Sequence, residues 1–220
     1  DLEEMKEGHT AFGLDPSRGT ILGMLVQAPS LGERVQQGGL VGYVILSLLL
    51  LGLVMVAERL VTLTKEGKKM KDQLSSKEIK VDNPIGQLMD TFHKFKDKDL
   101  EVLEMKLDET VLKSAPKLER GISTIKILSA VAPLLGLLGT VTGMIATFQS
   151  ITLFGTGDPK LMAGGISTAL ITTVLGLVCA IPLLLLHNFV SAKSKGLIQI
   201  LEEQAAGLLT KQNEKVGEAV

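Results

Sequence analysis

The residues in this chain best suited to chemistry are threonines set among glycines in two long uncharged stretches. Within residues 127–157, Ser129, Pro133, Gly136, Thr140, Gly143 and Thr147 follow gaps of 4, 3, 4, 3 and 4, so all six fall on one face of a helix. Within residues 161–192, Gly165, Thr168, Thr172, Gly176 and Cys179 repeat the spacing, and Ala169, Thr173, Gly176 and Ala180 make an overlapping stripe. Hydroxyl oxygens, together with carbonyls freed by Pro133 and Pro182, can ligate a cation or a file of water. Threonine does not titrate at accessible pH, and neither stretch holds Asp (before Asp158), Glu, Lys or Arg. The chain therefore cannot relay protons alone. A proton route needs a carboxylate from another chain, whereas sodium could be held by hydroxyls directly. Packing is the plainer alternative, because membrane threonines often bond their own helix and small residues let backbones approach, as the GxxxG pair Gly139 and Gly143 would. The facing stripes and matched prolines favour a polar pathway.

These residues must be positioned by membrane helices. Residues 40–57 are 18 without a charge, 127–157 are 31, and 161–192 carry no Asp, Glu, Lys or Arg in 32. At a rise of ~1.5 Å per residue, roughly 20 residues cross the ~30 Å hydrocarbon layer. The sequence thus reads as an all-α integral membrane protein with three transmembrane helices, at 40–57, 127–154 and 161–190. Long cytoplasmic helical extensions lie at 58–126 and 191–220. The 155–160 link is short, so the second and third spans run antiparallel, with Thr140 and Thr173 near the bilayer midplane.

Loop charge sets orientation. Of 23 Lys and Arg, 15 fall in 58–126 and four follow the third span, against three in the leader and one in the link. That puts the 58–126 loop and the C-terminus in the cytoplasm and the N-terminus in the periplasm. The 1–39 leader reads as periplasmic, with one or two short interfacial helices. Asp1 in place of Met leaves room for a removed signal peptide or a longer N-terminal region. In the loop, Asn83-Pro84 should start a helix. Leu100, Leu103, Leu107, Val111 and Leu118 recur at helical spacing toward the second span, interrupted by Pro116; Ile198, Leu201, Ala205 and Leu208 repeat the motif in the tail. The adjacent Glu58 and Arg59, just past the first span, form an interfacial pair or a partner contact.

The remaining chemistry is sparse. His9 and His93 stand isolated, so no metal site is expected, and no cofactor, phosphate loop, nucleophile–base pair or nucleic-acid motif is present. The single Cys179 cannot form an internal disulfide. His187 sits near the end of the third span, as an interfacial anchor or a group at the mouth of a vestibule.

The runs APLLGLLGTVTGMIATF and GGISTALITTVLGLVCAIP resemble the two signature spans of the MotA/TolQ/ExbB proton-channel family. Three spans rather than four make the chain more similar to ExbB and TolQ than to MotA. The leader resembles ExbB variants of accessory TonB systems. The resemblance implies a non-enzymatic subunit of the bacterial inner membrane, assembled as a homo-oligomer (a pentamer) in the lipid bilayer. An ExbD-like one-span partner would supply the membrane aspartate, and a TonB-like protein would take up the work. It also implies that Thr140 and Thr173 face the pore. Relatives commonly carry a glutamate in the pattern GIxEAL where this chain has Thr168, which leaves sodium coupling open. A TolQ- or MotA-like stator for another envelope machine, and a non-conducting scaffold, are the competing readings.

Overall fold

The computed structural model describes residues 31–76, 78–155 and 159–217, and within them every element is a helix. A short helix, α1 (Leu31–Gln37), turns through Gly39, whose φ of 57° is left-handed, into α2 (Gly39–Ser75). The rest of the leader lies outside the described residues. The 37 residues of α2 make one rod that spans the apolar 40–57 stretch and continues well past it.

The polar turn after α2 is organised by two amide side chains. Gln73 Nε2 donates to Glu78 O at 2.8 Å while its Oε1 accepts from Lys80 N–H at 2.9 Å. Asn83 then caps α3 (Pro84–Phe95) by accepting from Gly86 N–H at 2.8 Å, with Pro84 in the first turn, where a missing N–H costs nothing. The helix α4 (Leu100–Glu119) folds back beside it, and Thr91 and Thr110 hydroxyls meet at 3.1 Å between the two.

Pro116 does not interrupt the run toward the second span. It sits inside α4, and the break falls at Gly121, which has φ 74° and φ/ψ that only glycine adopts without strain. Beyond it α5 (Ile122–Phe154) carries the second uncharged stretch. The third stretch and the tail are one helix, α6 (Pro159–Gly217), of 59 residues. Gly155, at φ 70°, caps the end of α5.

Three helices are long and apolar enough to cross a membrane. Their outer halves join α3 and α4 in a bundle around Leu63, Met70, Ile85, Leu88, Leu103, Leu107 and Leu201, all essentially inaccessible. At ~1.5–3 kcal/mol for each buried aliphatic side chain, this bundle is where the amphipathic stripes of α4 and α6 find their partners. A second, smaller cluster of Ile45, Ala132, Cys179, Ala180 and Leu183 lies within the membrane-spanning part. Around it Leu50, Val54, Leu134, Leu137, Phe148, Leu170 and Leu185 point outward, as lipid or neighbouring helices require.

Candidate functional site

The glycine stripes of α5 and α6 form a close antiparallel seam within one chain. A Cβ placed on Gly143 would lie 2.8 Å from Gly165 O, one on Gly176 2.8 Å from Ala132 O, and one on Gly136 3.0 Å from Thr172 O. Gly139 is filled by the Thr172 side chain. A seam that cannot accept a methyl group has no room for water, so the two backbones touch directly.

The five threonines divide between the seam and its edges. Thr147 and Thr172 are buried in it, and their hydroxyls are satisfied by their own helices: Thr147 donates to Gly143 O at 3.0 Å, Thr172 to Ala169 O at 2.9 Å. Thr140, Thr168 and Thr173 are half-buried at the edges, donating to Leu137 O (2.6 Å), Gly164 O (3.1 Å) and Ala169 O (3.3 Å). Thr173 stands at the level of Gly136, its Cα 3.2 Å from a Cβ placed there, and so one helical turn from Thr140.

Sides can be assigned by sequence order. Each residue rotates ~100° from the last, so residues directly following seam positions share one flank, and antiparallel packing brings the two flanks to the same side. Thr140 follows Gly139 and Thr173 follows Thr172; Lys126, Ser191 and Lys195 likewise follow the buried Ile125, Val190 and Ser194. Thr168 precedes Ala169 and lies on the opposite flank. Pro133 is half-buried and Pro182 exposed, both inside unbroken helices.

Of the adjacent charges past the first span, Glu58 is exposed but Arg59 is turned inward and only 5% accessible. Its Nη2 donates to Leu118 O at 2.7 Å and Lys117 O at 3.2 Å, and Ser194 Oγ adds a bond to Leu118 O at 3.0 Å. These donors cover the carbonyl end of α4 immediately before the Gly121 break, where a cation is favoured by the helix dipole. Within the chain Arg59 and Ser194 thus pin the α4–α5 corner from α2 and α6 together. Sequence reading missed Ser194 and this inward turn; the signal available was an arginine two residues beyond an apolar span, with a side chain long enough to turn inward. A cavity of about 220 Å³ beside the corner is lined by Arg59 and Ser114, whose Nε and Oγ have no protein partner.

Comparison with known proteins decides the family. A profile of the MotA/TolQ/ExbB proton channel family matches residues 67–203, more than half of the chain. The chain belongs to this family. It is 32% identical over 190 residues to a biopolymer transport protein ExbB-like 1 from Synechocystis, a match covering 78% of this chain and 75% of that protein. It is 28% identical over 177 residues to an ExbB homolog from Methanothermobacter thermautotrophicus, covering 73% of this chain and 63% of the other. With the biopolymer transport protein ExbB of Xanthomonas campestris it shares 34% identity over 98 residues, 44% of this chain and 39% of that one. The MotA/TolQ/ExbB match runs from the outer half of α2 to the outer half of α6. It therefore includes both threonine-bearing spans and the Gly121 corner, but not the apolar part of α2. Among the described residues no cluster of His, Cys, Asp or Glu could hold a metal ion.

Proposed function

We propose that this chain is an ExbB-like subunit of an ion-driven motor in the bacterial inner membrane. In this reading it is a homo-oligomer that works with an ExbD-like one-span protein to energise TonB-dependent outer-membrane transport. The observation that carries the proposal is the pairing of membership in a proton channel family with spans that contain no Asp, Glu, Lys or Arg of their own. A proton crossing beside α5 and α6 must be handed on by a carboxylate from elsewhere, and a one-span partner with a membrane aspartate supplies that group. In this reading the 58–126 segment and the C-terminus are cytoplasmic and the N-terminus periplasmic, following the lysine and arginine distribution.

Thr140 and Thr173 are the pathway residues. They are half-exposed on one side of the seam, a turn apart, so each hydroxyl can offer a lone pair to a water or to the partner's carboxyl while donating to its own helix. Thr168, on the opposite flank, would serve a different contact. Thr147 and Thr172 are assigned to the seam itself, with Gly136, Gly139, Gly143 and Gly176.

The test is ion flux into liposomes holding this protein with its one-span partner, under separate proton and sodium gradients. Thr140→Val and Thr173→Val should reduce flux at least several-fold with assembly unchanged. Flux that is unaltered in both variants would return these threonines to packing. A sodium gradient that drives flux where a proton gradient does not would reassign the ion.

A further inference from the structure

Outside the apolar layer, α4 and α6 leave a groove of about 440 Å³ between them, walled by residues that include Glu104, Asp108, Leu112, Glu202, Ala205 and Leu209. We propose that this groove docks the lysine- and arginine-rich cytoplasmic segment of the one-span partner. This rests on the motor reading above, to which it adds a partner contact outside the bilayer.

The side of the bundle comes first. Leu118 meets Ser194 near the membrane while Glu104 and Asp108 meet the later turns of α6, so α4 and α6 run antiparallel. Residues directly following their core positions therefore share one flank, as in the seam. Glu104, Asp108 and Leu112 follow the buried Leu103, Leu107 and Val111, and Glu202 follows the buried Leu201. Because α6 is unbroken, this is the flank that carries Thr173 and, across the seam, Thr140. A partner helix standing beside those threonines has the groove in line with its cytoplasmic end. A second copy of this chain seated there would lie over the same flank and compete with the partner for it.

Charge selects the occupant. Three carboxylates stand on the groove wall, and no lysine or arginine does. Among the described residues the acids held in ion pairs are Glu66, Asp82, Asp90 and Glu109, so Glu104, Asp108 and Glu202 are not neutralised within the chain. Nearer the membrane the same flank carries Lys126 and Lys195 beside Glu119, so a basic segment first meets net opposite charge in the groove. A one-span protein bears its excess of lysine and arginine on the cytoplasmic side of its span, which brings the complementary charge to this side. Exposed ion pairs alone would hold it loosely. The floor adds apolar contact, with Val111 and Ala205 buried and Leu112 72% exposed, and it suits the aliphatic stems of lysines.

Reach is short. Counted along α6 from Ala192, the end of the uncharged stretch, Glu202 lies about 15 Å and Leu209 about 25 Å from the apolar layer. An extended segment of about eight residues, at ~3.3 Å each, covers that distance. A short tail therefore suffices to run from the membrane boundary to the far end of the groove.

The experiment co-expresses the full chain with the ExbD-like one-span protein of the flux assay. Photoreactive p-benzoylphenylalanine replaces Leu112 in the groove or, as a control, Val61, which is exposed on α2. The Leu112 probe should capture the one-span protein, with the adduct mapped by mass spectrometry to its cytoplasmic segment, and the Val61 probe should not. Glu104→Gln/Asp108→Asn/Glu202→Gln should lower the adduct yield about fivefold or more. Glu203→Gln, turned about 100° around α6 from Glu202, should leave it unchanged. Glu104→Asp/Asp108→Glu/Glu202→Asp should retain it, separating charge from folding, and helicity of each variant is checked in parallel. A one-span protein that co-purifies and supports flux without an adduct at Leu112, or with a yield indifferent to the neutral triple variant, overturns the groove assignment and leaves the motor reading standing. A one-span protein that neither co-purifies nor supports flux overturns that reading and the docking with it. An adduct between two copies of this chain in place of the partner assigns the groove to a subunit contact and overturns the proposal.

Discussion

The seam between α5 and α6 can be tested with two adjacent glycines. Gly164 and Gly165 share a helix, a depth and the same change in helix propensity on substitution. A Cβ on Gly164 meets nothing within 4 Å, whereas one on Gly165 would strike the Thr147 hydroxyl and lie 2.9 Å from Gly143 O. The reciprocal change at Gly143 brings a Cβ to 2.8 Å from Gly165 O, where ordinary contact starts at 3.4 Å, so the backbones must part by the difference, about 0.6 Å. A gap of that size forfeits roughly a quarter to a half of each well of ~0.1–0.2 kcal/mol, and over a few dozen atom pairs in the neighbouring turns this approaches ~1 kcal/mol. Strain in the overpacked seam brings the total to about 1–3 kcal/mol. Gly165→Ala and Gly143→Ala should therefore be less stable than wild type by about 1–3 kcal/mol, while Gly164→Ala should be neutral or slightly stabilised. Unfolding by added sodium dodecyl sulfate in mixed micelles, followed by circular dichroism, reads the difference. Equal stabilities for Gly164→Ala and Gly165→Ala, within ~0.5 kcal/mol, would refute the close seam, because propensity cancels between the two.

Three further outcomes follow from the parts outside the membrane. Arg59→Ala removes the donor to Lys117 O and one of two donors to Leu118 O, and should cost about 1.5–3 kcal/mol, with amide exchange quickening at the α4–α5 corner first. Asn83→Ala removes the cap on Gly86 N–H and should cost about 1 kcal/mol, read as faster exchange in the first turn of α3 and little change elsewhere. Glu109 is held at about 2 by the hydrogen bonds from Lys106 and Lys113 and by their charges. Its folded value lies below the ordinary 4.5, so its small stabilising contribution is complete above 4.5 and fades as pH falls toward 2. A carboxyl-carbon NMR titration should give a midpoint near 2, moving upward in Lys106→Gln.

Local pattern was enough for the helices and for the outer bundle. Of the stripe Leu100, Leu103, Leu107, Val111 and Leu118, all but Leu100 at the start of α4 are buried as the spacing requires, and Asn83-Pro84 opens α3 because capping chemistry is written in two neighbouring residues. The corner was not legible from Pro116. A proline in the last turn of a helix costs one hydrogen bond and can be tolerated there, whereas Gly121 reaches a left-handed φ that ends the helix outright. Membrane-face periodicity located the threonines but not their division. One residue of rotation separates Thr172, sealed against Gly139, from Thr173 at the edge, and spacing alone cannot say which of two neighbouring rows meets the other helix. Arg59 was opaque for another reason: its partners are backbone carbonyls almost 60 positions away, and no side-chain pattern advertises those.

The unbroken course of α6 has a mechanical consequence. Its 59 residues make a rod of about 88 Å, of which the stretch beyond Lys193 extends some 35 Å from the apolar layer. A bend of about 5° at Pro182, about 52 Å from the far tip, would sweep that tip sideways by about 4.5 Å. Pro182 cannot donate to the carbonyl four residues earlier, so the rod is weakest there, still within the apolar layer. Bending should concentrate at that missing rung, leaving the outer arm stiff and making it a lever whose fulcrum lies inside the bilayer.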